Sequence, residues 1–215
     1  MQDVEIRRVR PSDREGLSLF YATLSAESRR QRFLGSVPGV PNERARTFCA
    51  PDHMHEEGFV ALTNGDAPRI IGHLCLGDAG GGSGEIGIAV ANAVQGLGIG
   101  RLLFEAALAW ARERNVDQLV ASTFADNTRL LRLLTSARYS AQVGEQGCGI
   151  VELTIPLRSP LPRSTSVPIT DFEKGQVASR LRAPRSGRHV YWLRRPGNKA
   201  SASIGKRARA RPGNN

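Results

Sequence analysis

The feature that most constrains this chain is six residues long. Gln95-Gly-Leu-Gly-Ile-Gly100 stands between an apolar run, Glu85-Ile-Gly-Ile-Ala-Val90, and an amphipathic stretch from Ile99 to about Arg114. The first reads as a β-strand. The second reads as a helix whose inward stripe is Ile99, Leu102, Leu103, Ala106, Ala107 and Trp110, at helical spacing. A glycine-rich turn into a helix N-terminus lets backbone N–H groups converge on an anion, and the helix dipole adds attraction. Spacing separates this turn from two familiar nucleotide loops. In G-x-G-x-x-G the third glycine would fall on Arg101 counting from Gly96, and on Leu103 counting from Gly98. No G-x-x-x-x-G-K-[ST] occurs, and residues 1–157 contain no lysine. The turn is a phosphate cradle of another kind, or a tight connection.

The flanking pattern alternates strand and helix signals. Val4 to Val9 alternates apolar and polar residues as a half-buried strand does. Pro11-Ser-Asp-Arg-Glu opens a helix that Ser12 or Asp13 can cap, with Leu17, Phe20, Tyr21 and Leu24 on one face. A second helix starts at Ser25, Gly35 to Pro41 is loop, and a short helix follows over Glu43 to Phe48. Phe59–Thr63 and Arg69–Leu76 form a hairpin across Asn64-Gly65-Asp66, and Gly77–Gly84 is a flexible turn. After the glycine turn and its helix come a strand at Gln118–Phe124, a helix capped by Asp126 or Asn127, and strands at Ala141–Val143 and Gly149–Ile155. This order is α/β, or α+β, with a mixed sheet in which the strands at 85 and 118 run parallel.

Charge divides the chain in two. Residues 1–157 carry 16 Arg against 18 Asp and Glu, a net of −2, whereas residues 158–215 carry 14 Lys and Arg against Asp171 and Glu173, a net of +12. The second part, from Arg158-Ser-Pro-Leu-Pro onward, is rich in Pro, Ser, Gly and Arg and shows no sustained period. It cannot bury enough apolar surface to offset about 1–2 kcal/mol of ordering per residue. The expected organisation is a folded domain over 1–157 and a disordered basic tail over 158–215. Such a tail reads as a solvated extension with weak, non-specific affinity for nucleic acid, or as a dedicated arm for an acidic partner.

No apolar run approaches the ~20 residues of a membrane span, and the N-terminus has no secretory h-region. Cys49, Cys75 and Cys148 are odd in number and widely spaced, which suits a reducing, cytoplasmic location. His53-Met-His55-Glu-Glu57 is not a metal spacing, so no metal is expected. His73 reads as a strand histidine satisfied in the core rather than a base. The Arg29-Arg30-Gln31-Arg32 cluster is a solvated helix face or the lining of an acceptor site.

Gln-Gly-Leu-Gly-Ile-Gly, between an apolar strand and an Arg-led helix, resembles the Q/R-x-x-G-x-G/A signature of the GNAT N-acetyltransferase superfamily. The flanking pieces match in order over about residues 4–157. Ala26–Phe33 and Asp126–Leu134 are similar to segments of bacterial protein-lysine acetyltransferases. The resemblance implies an acyl-CoA N-acyltransferase fold, β-α-α-β-β-β-α-β-α-β-β. It also implies acetyl-CoA as co-substrate, bound where the strands at 85–90 and 118–124 splay apart. Ile88, Ala89 and Val90 would pair with the pantetheine amides, and an N–H near Ala89 or Val90 would polarise the thioester oxygen. Gly96, Gly98, Gly100 and Arg101, within a turn that includes Gln95, Leu97 and Ile99, would hold the pyrophosphate through main-chain N–H groups. A Cβ at 98 or 100 would crowd that approach. Asn127 would reach the pantetheine arm or thioester end, and Glu85 would be the general base.

The family's usual tyrosine, seven residues after the asparagine, is Leu134 here, which leaves Tyr139 as the nearby candidate acid. The implied reaction is direct acetyl transfer to a primary amine, on a small molecule or a protein lysine. The readings from other classes are a non-catalytic acyl-CoA-binding module and a nucleic-acid-associated protein acting through its tail.

Overall fold

Phe59, Val60, Ala61 and Leu62 are consecutive and all buried. A strand tolerates that only when both faces of its sheet are covered. The computed structural model describes residues 4–36 and 42–157 and shows this arrangement. The expected 158–215 tail, and residues 37–41 of the expected loop, lie outside the described residues. The elements are β1 (Val4–Arg8), α1 (Arg14–Thr23), α2 (Ala26–Phe33), α3 (Asn42–Phe48), β2 (Glu56–Thr63), β3 (Ile70–Gly80), β4 (Ser83–Val90), α4 (Ile99–Glu113), β5 (Gln118–Phe124), α5 (Thr128–Leu134), β6 (Gln142–Gly147) and β7 (Ile150–Pro156), with 3-10 turns at Pro11–Asp13 and Asn92–Val94. The seven strands form a mixed sheet in the order β1-β2-β3-β4-β5-β7-β6. The β4/β5 pair is parallel, as the crossover through α4 requires, and the other pairs are antiparallel.

Alternation along the strands sorts the apolar residues into two cores. Phe59, Ala61, Leu74, Leu76 and Ile86 face α4, where Leu103, Phe104, Ala107 and Ala111 meet them. Val60, Leu62, Cys75 and Ala89 face the other way, against Leu17, Phe20 and Tyr21 of α1, Phe33 of α2 and Phe48 of α3.

The buried face of α4 differs from the expected stripe by about one residue. Leu102 is 39% exposed, while Phe104, Leu108 and Ala111 are buried. Tyr139 stands edge-on to Phe104 at 4.9 Å and covers that flank of the helix, a contact that helical periodicity does not encode. The Gly77–Gly84 stretch also differs from its expectation. The β3/β4 ladder runs on through Asp78↔Gly84 and Gly80↔Ser83, so the turn itself is only Gly81 and Gly82. Among the described residues no helix is long and apolar enough to cross a membrane, and no cluster of three His, Cys, Asp or Glu side chains could hold a metal ion.

Asp13 does not cap α1 with its side chain. Its carboxylate takes both arms of the Arg7 guanidinium at 2.7 Å and the Arg10 N–H at 2.7 Å, pinning the start of α1 to β1. Burial pushes this carboxyl up, but the bonds from Arg7 and Arg10 outweigh burial and hold it below the ordinary carboxylate value. A depressed folded pKa means the contribution is present above the unfolded value of about 3.9 and is lost as pH falls through the folded one. Asp13→Asn is therefore expected to cost roughly 1–3 kcal/mol at pH 7. Urea denaturation at pH 7 and again near pH 3 checks this, because the deficit should shrink in acid; an equal deficit at both would contradict it.

Candidate active site

Two strands of the sheet start as neighbours and then part. β4 and β5 pair at Ser83↔Gln118, Gly84↔Leu119 and Glu85↔Val120, and no further. β4 continues to Val90 held by β3, and β5 continues to Phe124 held by β7. Each strand is committed to its outer neighbour, so a wedge opens between them. A cleft of about 930 Å³ occupies it, lined by both strands, by the glycine turn, and by residues of α2, α4 and α5.

Strand register decides which backbone groups face the cleft. The Ala91 N–H donates to Ile71 O at 2.8 Å, and hydrogen-bonded pairs in an antiparallel ladder recur every second residue. Residues 85, 87 and 89 therefore turn their N–H and C=O toward β3, and residues 86, 88 and 90 turn theirs toward the cleft. Val90 agrees, since its C=O accepts from Gln95 Nε2 at 3.0 Å. Of the expected contact residues, Ile88 and Val90 offer main-chain groups to the cleft and Ala89 does not.

The turn after β4 is pinned by side chains. Asn92 Oδ1 accepts the Ser25 N–H at 2.9 Å, and its Nδ2 donates to Ser25 Oγ and Ser28 Oγ. Gln95 Nε2 also reaches Ser28 Oγ at 3.2 Å, and Arg129 Nη1 donates to Gln95 Oε1 at 2.7 Å. Three elements thus hold the loop: β4, α2 and α5. Gly96 and Gly98 have φ of +84° and +88°, the left-handed region that favours glycine, and Gly98 is the N-cap of α4. The N–H groups of Gly96, Leu97 and Gly98 make no hydrogen bond among the described residues. Those of Ile99 and Gly100 sit in the first helical turn, where no intrahelical acceptor exists. Arg101 differs, because its N–H donates to Gly98 O at 3.0 Å. Arg101, Arg129 and Arg132 are among the residues that line the cleft.

Glu85 is the last residue of β4 paired to β5 and is 9% exposed, so its side chain lies where the strands begin to separate. It lines the cleft together with Arg32 from α2. Across the mouth, Arg30 Nη2 and Gln31 Nε2 donate to Asp126 at 2.7 and 2.6 Å, and Arg30 lies 4.0 Å over the Phe124 ring. These contacts tie α2 to the end of β5. The hydrogen bonds from Gln31 and Arg30 hold the Asp126 carboxyl below its ordinary value.

The acetyltransferase (GNAT) family model matches residues 24–137, more than half of the chain. The chain belongs to the GNAT family. Solved structures agree with this placement. The GNAT domain of S. lividans PAT is 25% identical, with a TM-score of 0.64 over 71% of this chain and 90% of that one. The yncA protein of Salmonella typhimurium, solved with its cofactor acetyl-CoA, is 18% identical, with a TM-score of 0.58 over 75% of this chain and 99% of that one. The ribosomal-protein-S18-alanine N-acetyltransferase of Escherichia coli is 14% identical, with a TM-score of 0.57 over 76% and 100%.

Within this GNAT fold some expected site residues are employed elsewhere. Asn127 caps α5, its Oδ1 accepting the Leu130 N–H at 3.3 Å while its Nδ2 donates to Thr123 Oγ1 at 2.8 Å. It still lines the cleft. Tyr139 does not line it; its hydroxyl donates to Glu105 Oε1 at 3.2 Å on the flank of α4, and the ring packs on Phe104. The candidate acid is thus a packing residue. Leu97 points outward, 67% exposed, and Ile99 is buried beneath α4; neither side chain lines the cleft.

His73 is fully buried, and its Nδ1 lies 2.8 Å from Tyr21 Oη. Burial, helped by the Arg32 charge, pushes its pKa down to about 3, so it is a neutral core histidine, but one only half satisfied: its Nε2 is buried with no hydrogen-bond partner among the described residues. The sequence reading missed Ser28 and left Arg32 open between a solvated helix face and the lining of an acceptor site. Their i, i+4 spacing was the available signal that they share one face of α2.

Proposed function

We propose that this chain is an N-acetyltransferase that moves an acetyl group from acetyl-CoA to a primary amine by direct transfer, with a protein lysine as one acceptor class. The observation that carries this reading is the wedge between β4 and β5, closed at one end by a turn whose N–H groups from Gly96 to Gly100 have no partner among the described residues. A diphosphate is the group such a donor set suits, since it needs several converging donors and no side chain in their way. The main-chain groups of Ile88 and the N–H of Val90 would bond the pantetheine amides as an added strand does. The arginines at 101, 129 and 132 add positive charge around the turn. Gln95, fully engaged with Val90, Ser28 and Arg129, would hold the turn rather than the ligand.

Acetyl-CoA supplies the acyl group as a thioester, which the amine nitrogen takes with release of the CoA thiol. An alkylammonium has a pKa of about 10.4, so presenting it neutral at pH 7 costs about 4–5 kcal/mol. Glu85, at the point where the strands part, would receive that proton directly or through a water. With Tyr139 occupied on α4, no side chain is assigned as donor to the departing thiolate. The unit that does this work is residues 1–157: the Leu157 N–H closes onto Asp117 O at 2.9 Å, so a chain cut after Leu157 should keep acetyl-CoA binding.

Thermal shift with acetyl-CoA tests the cleft, since ligand at 100 times Kd should add about 2.7 kcal/mol of stability. CoA release over a panel of amines and lysine peptides then tests the chemistry; binding without release over the whole panel would make the chain a binding module. Gly98→Val separates the turn from the rest of the cleft. The added Cβ meets no atom within 4 Å, so the protein interior is spared. Its left-handed φ costs a branched residue at least about 1–2 kcal/mol, and the side chain stands at the N-terminus of α4. The expected result is a folded protein whose acetyl-CoA thermal shift is lost.

A further inference from the structure

Gly87 lies two residues beyond Glu85 on β4 and faces the same side of the sheet. A Cβ built on it would stand 2.6 Å from Arg32 Cζ and 2.8 Å from both Arg32 Nη1 and Nη2. The guanidinium therefore fills the space that another residue's side chain would take. It is fixed there from β3, where Arg32 Nη2 donates to Cys75 Sγ at 2.8 Å and Cys75 Sγ lies 3.6 Å from Gly87 O. Rings close the remaining side, with Arg32 Cζ 5.0 Å from the Phe33 centroid and 5.7 Å from that of Phe48. Arg32 Nε is buried with no hydrogen-bond partner among the described residues. A guanidinium cannot shed its charge, so placing one here is unfavourable unless an opposite charge answers it.

The neighbours on the other elements supply no such charge. Burial pushes the Tyr21 phenol of α1 and the Cys75 thiol of β3 up, and His73 is neutral. Arg44 of α3 is a second cation, 5.4 Å over the Phe33 ring. Asp126, beyond the cleft mouth, is engaged by Arg30 and Gln31. The carboxylate on the same face of the same strand is Glu85, two residues from the glycine that the guanidinium covers, and Glu85 and Arg32 line the same cleft.

We propose that Arg32 is a positioning residue for Glu85: its guanidinium, seated over Gly87, holds the Glu85 carboxylate charged at the point where the cleft opens. This rests on the transferase reading above and deepens its catalytic site. Gly87 is part of the same device, because only the absence of a side chain there admits the guanidinium.

The test is the pH dependence of kcat/KM for one amine that the wild type acetylates, with acetyl-CoA thermal shift run on every variant. Arg32→Gln removes the charge, Arg32→Lys keeps it without the planar fork, and Gly87→Ala displaces it. The last adds a single methyl, and because the three atoms nearest it all belong to the far end of Arg32, the guanidinium and not the backbone must give way. Losing a nearby cation raises a carboxylate's pKa, so the acidic limb should move up by about one pH unit in Arg32→Gln and in Gly87→Ala. It should stay near wild type in Arg32→Lys, with acetyl-CoA binding retained throughout. The double variant should shift no further than either single one, because both remove the same contact.

An unmoved limb in folded Arg32→Gln and Gly87→Ala overturns the proposal, as does a shift that merely follows loss of acetyl-CoA binding. Should Arg32→Gln fail to fold, Gly87→Ala decides alone. A wild type that binds acetyl-CoA yet acetylates no amine brings down the transferase reading and this inference with it. Wild-type turnover with unmoved limbs overturns Arg32's role alone.

Discussion

Replacing Glu85 by Gln is expected to lower amine acetylation by about 10²–10⁴-fold while leaving acetyl-CoA binding intact. The two side chains have nearly the same shape, so the cleft wall keeps its form. The pairing of residue 85 with Val120 is a main-chain register that the substitution does not touch. What is lost is the capacity to take a proton, because an amide does not protonate near neutral pH. The pH dependence makes the prediction specific. As pH rises toward the amine's own pKa of about 10.4, more acceptor arrives already neutral and the need for a base fades. The defect should therefore be largest near neutrality and should narrow in alkali. A uniform defect at every pH would point to altered geometry, and no defect at all would move the base to another group. Acetyl-CoA thermal shift on the same preparation shows whether the cleft survived.

The parts of this fold that local pattern can carry were legible. Each strand and helix core is readable from alternation or helical spacing, and Gln95 to Gly100 marks the strand-to-helix turn in the sequence itself. What local pattern could not carry was anything set by register or by a distant chain segment. That Ile88 and Val90 face the cleft while Ala89 does not follows from the parity of the β3/β4 ladder, fixed by the Ala91–Ile71 bond across the hairpin. In the sequence Arg32 belongs to a cluster that reads as a solvated helix face or as the lining of an acceptor site. Its destination over Gly87 depends on α2 crossing a strand more than fifty residues later in the chain. Of the two caps the sequence offers for α5, Asp126 and Asn127, the structure uses Asn127, and that same bond engages the side chain expected at the pantetheine arm or thioester end.

Tyr139 shows the same limit with an energetic consequence, because the flank of α4 that it covers is where the largest loss of stability is expected. Phe104→Ala should destabilise the protein by about 3–5 kcal/mol. Phe104 is fully buried, and its ring meets Tyr139 edge-on at 4.9 Å with an interplanar angle of 88°. Removing the ring leaves a void between the helix and the segment after α5. The sheet beneath cannot rise to fill it, since its strands are fixed by their ladders. Urea denaturation should show a lowered midpoint, and Tm should fall by about 2–4 °C for each kcal/mol lost.

Leu19→Ala is the control. Leu19 is 63% exposed on α1, and a surface change of this kind stays within about 0.5 kcal/mol. If Phe104→Ala were equally silent, the α4 packing described above would be wrong. The two halves of the chemistry also meet at this helix, because α4 carries the glycine turn at its N-terminus while its buried face rests on β2, β3 and β4. A folded Phe104→Ala protein should keep its affinity for acetyl-CoA at temperatures well below its melting point. The ring stabilises the platform under the turn, and Phe104 is not among the residues that line the cleft.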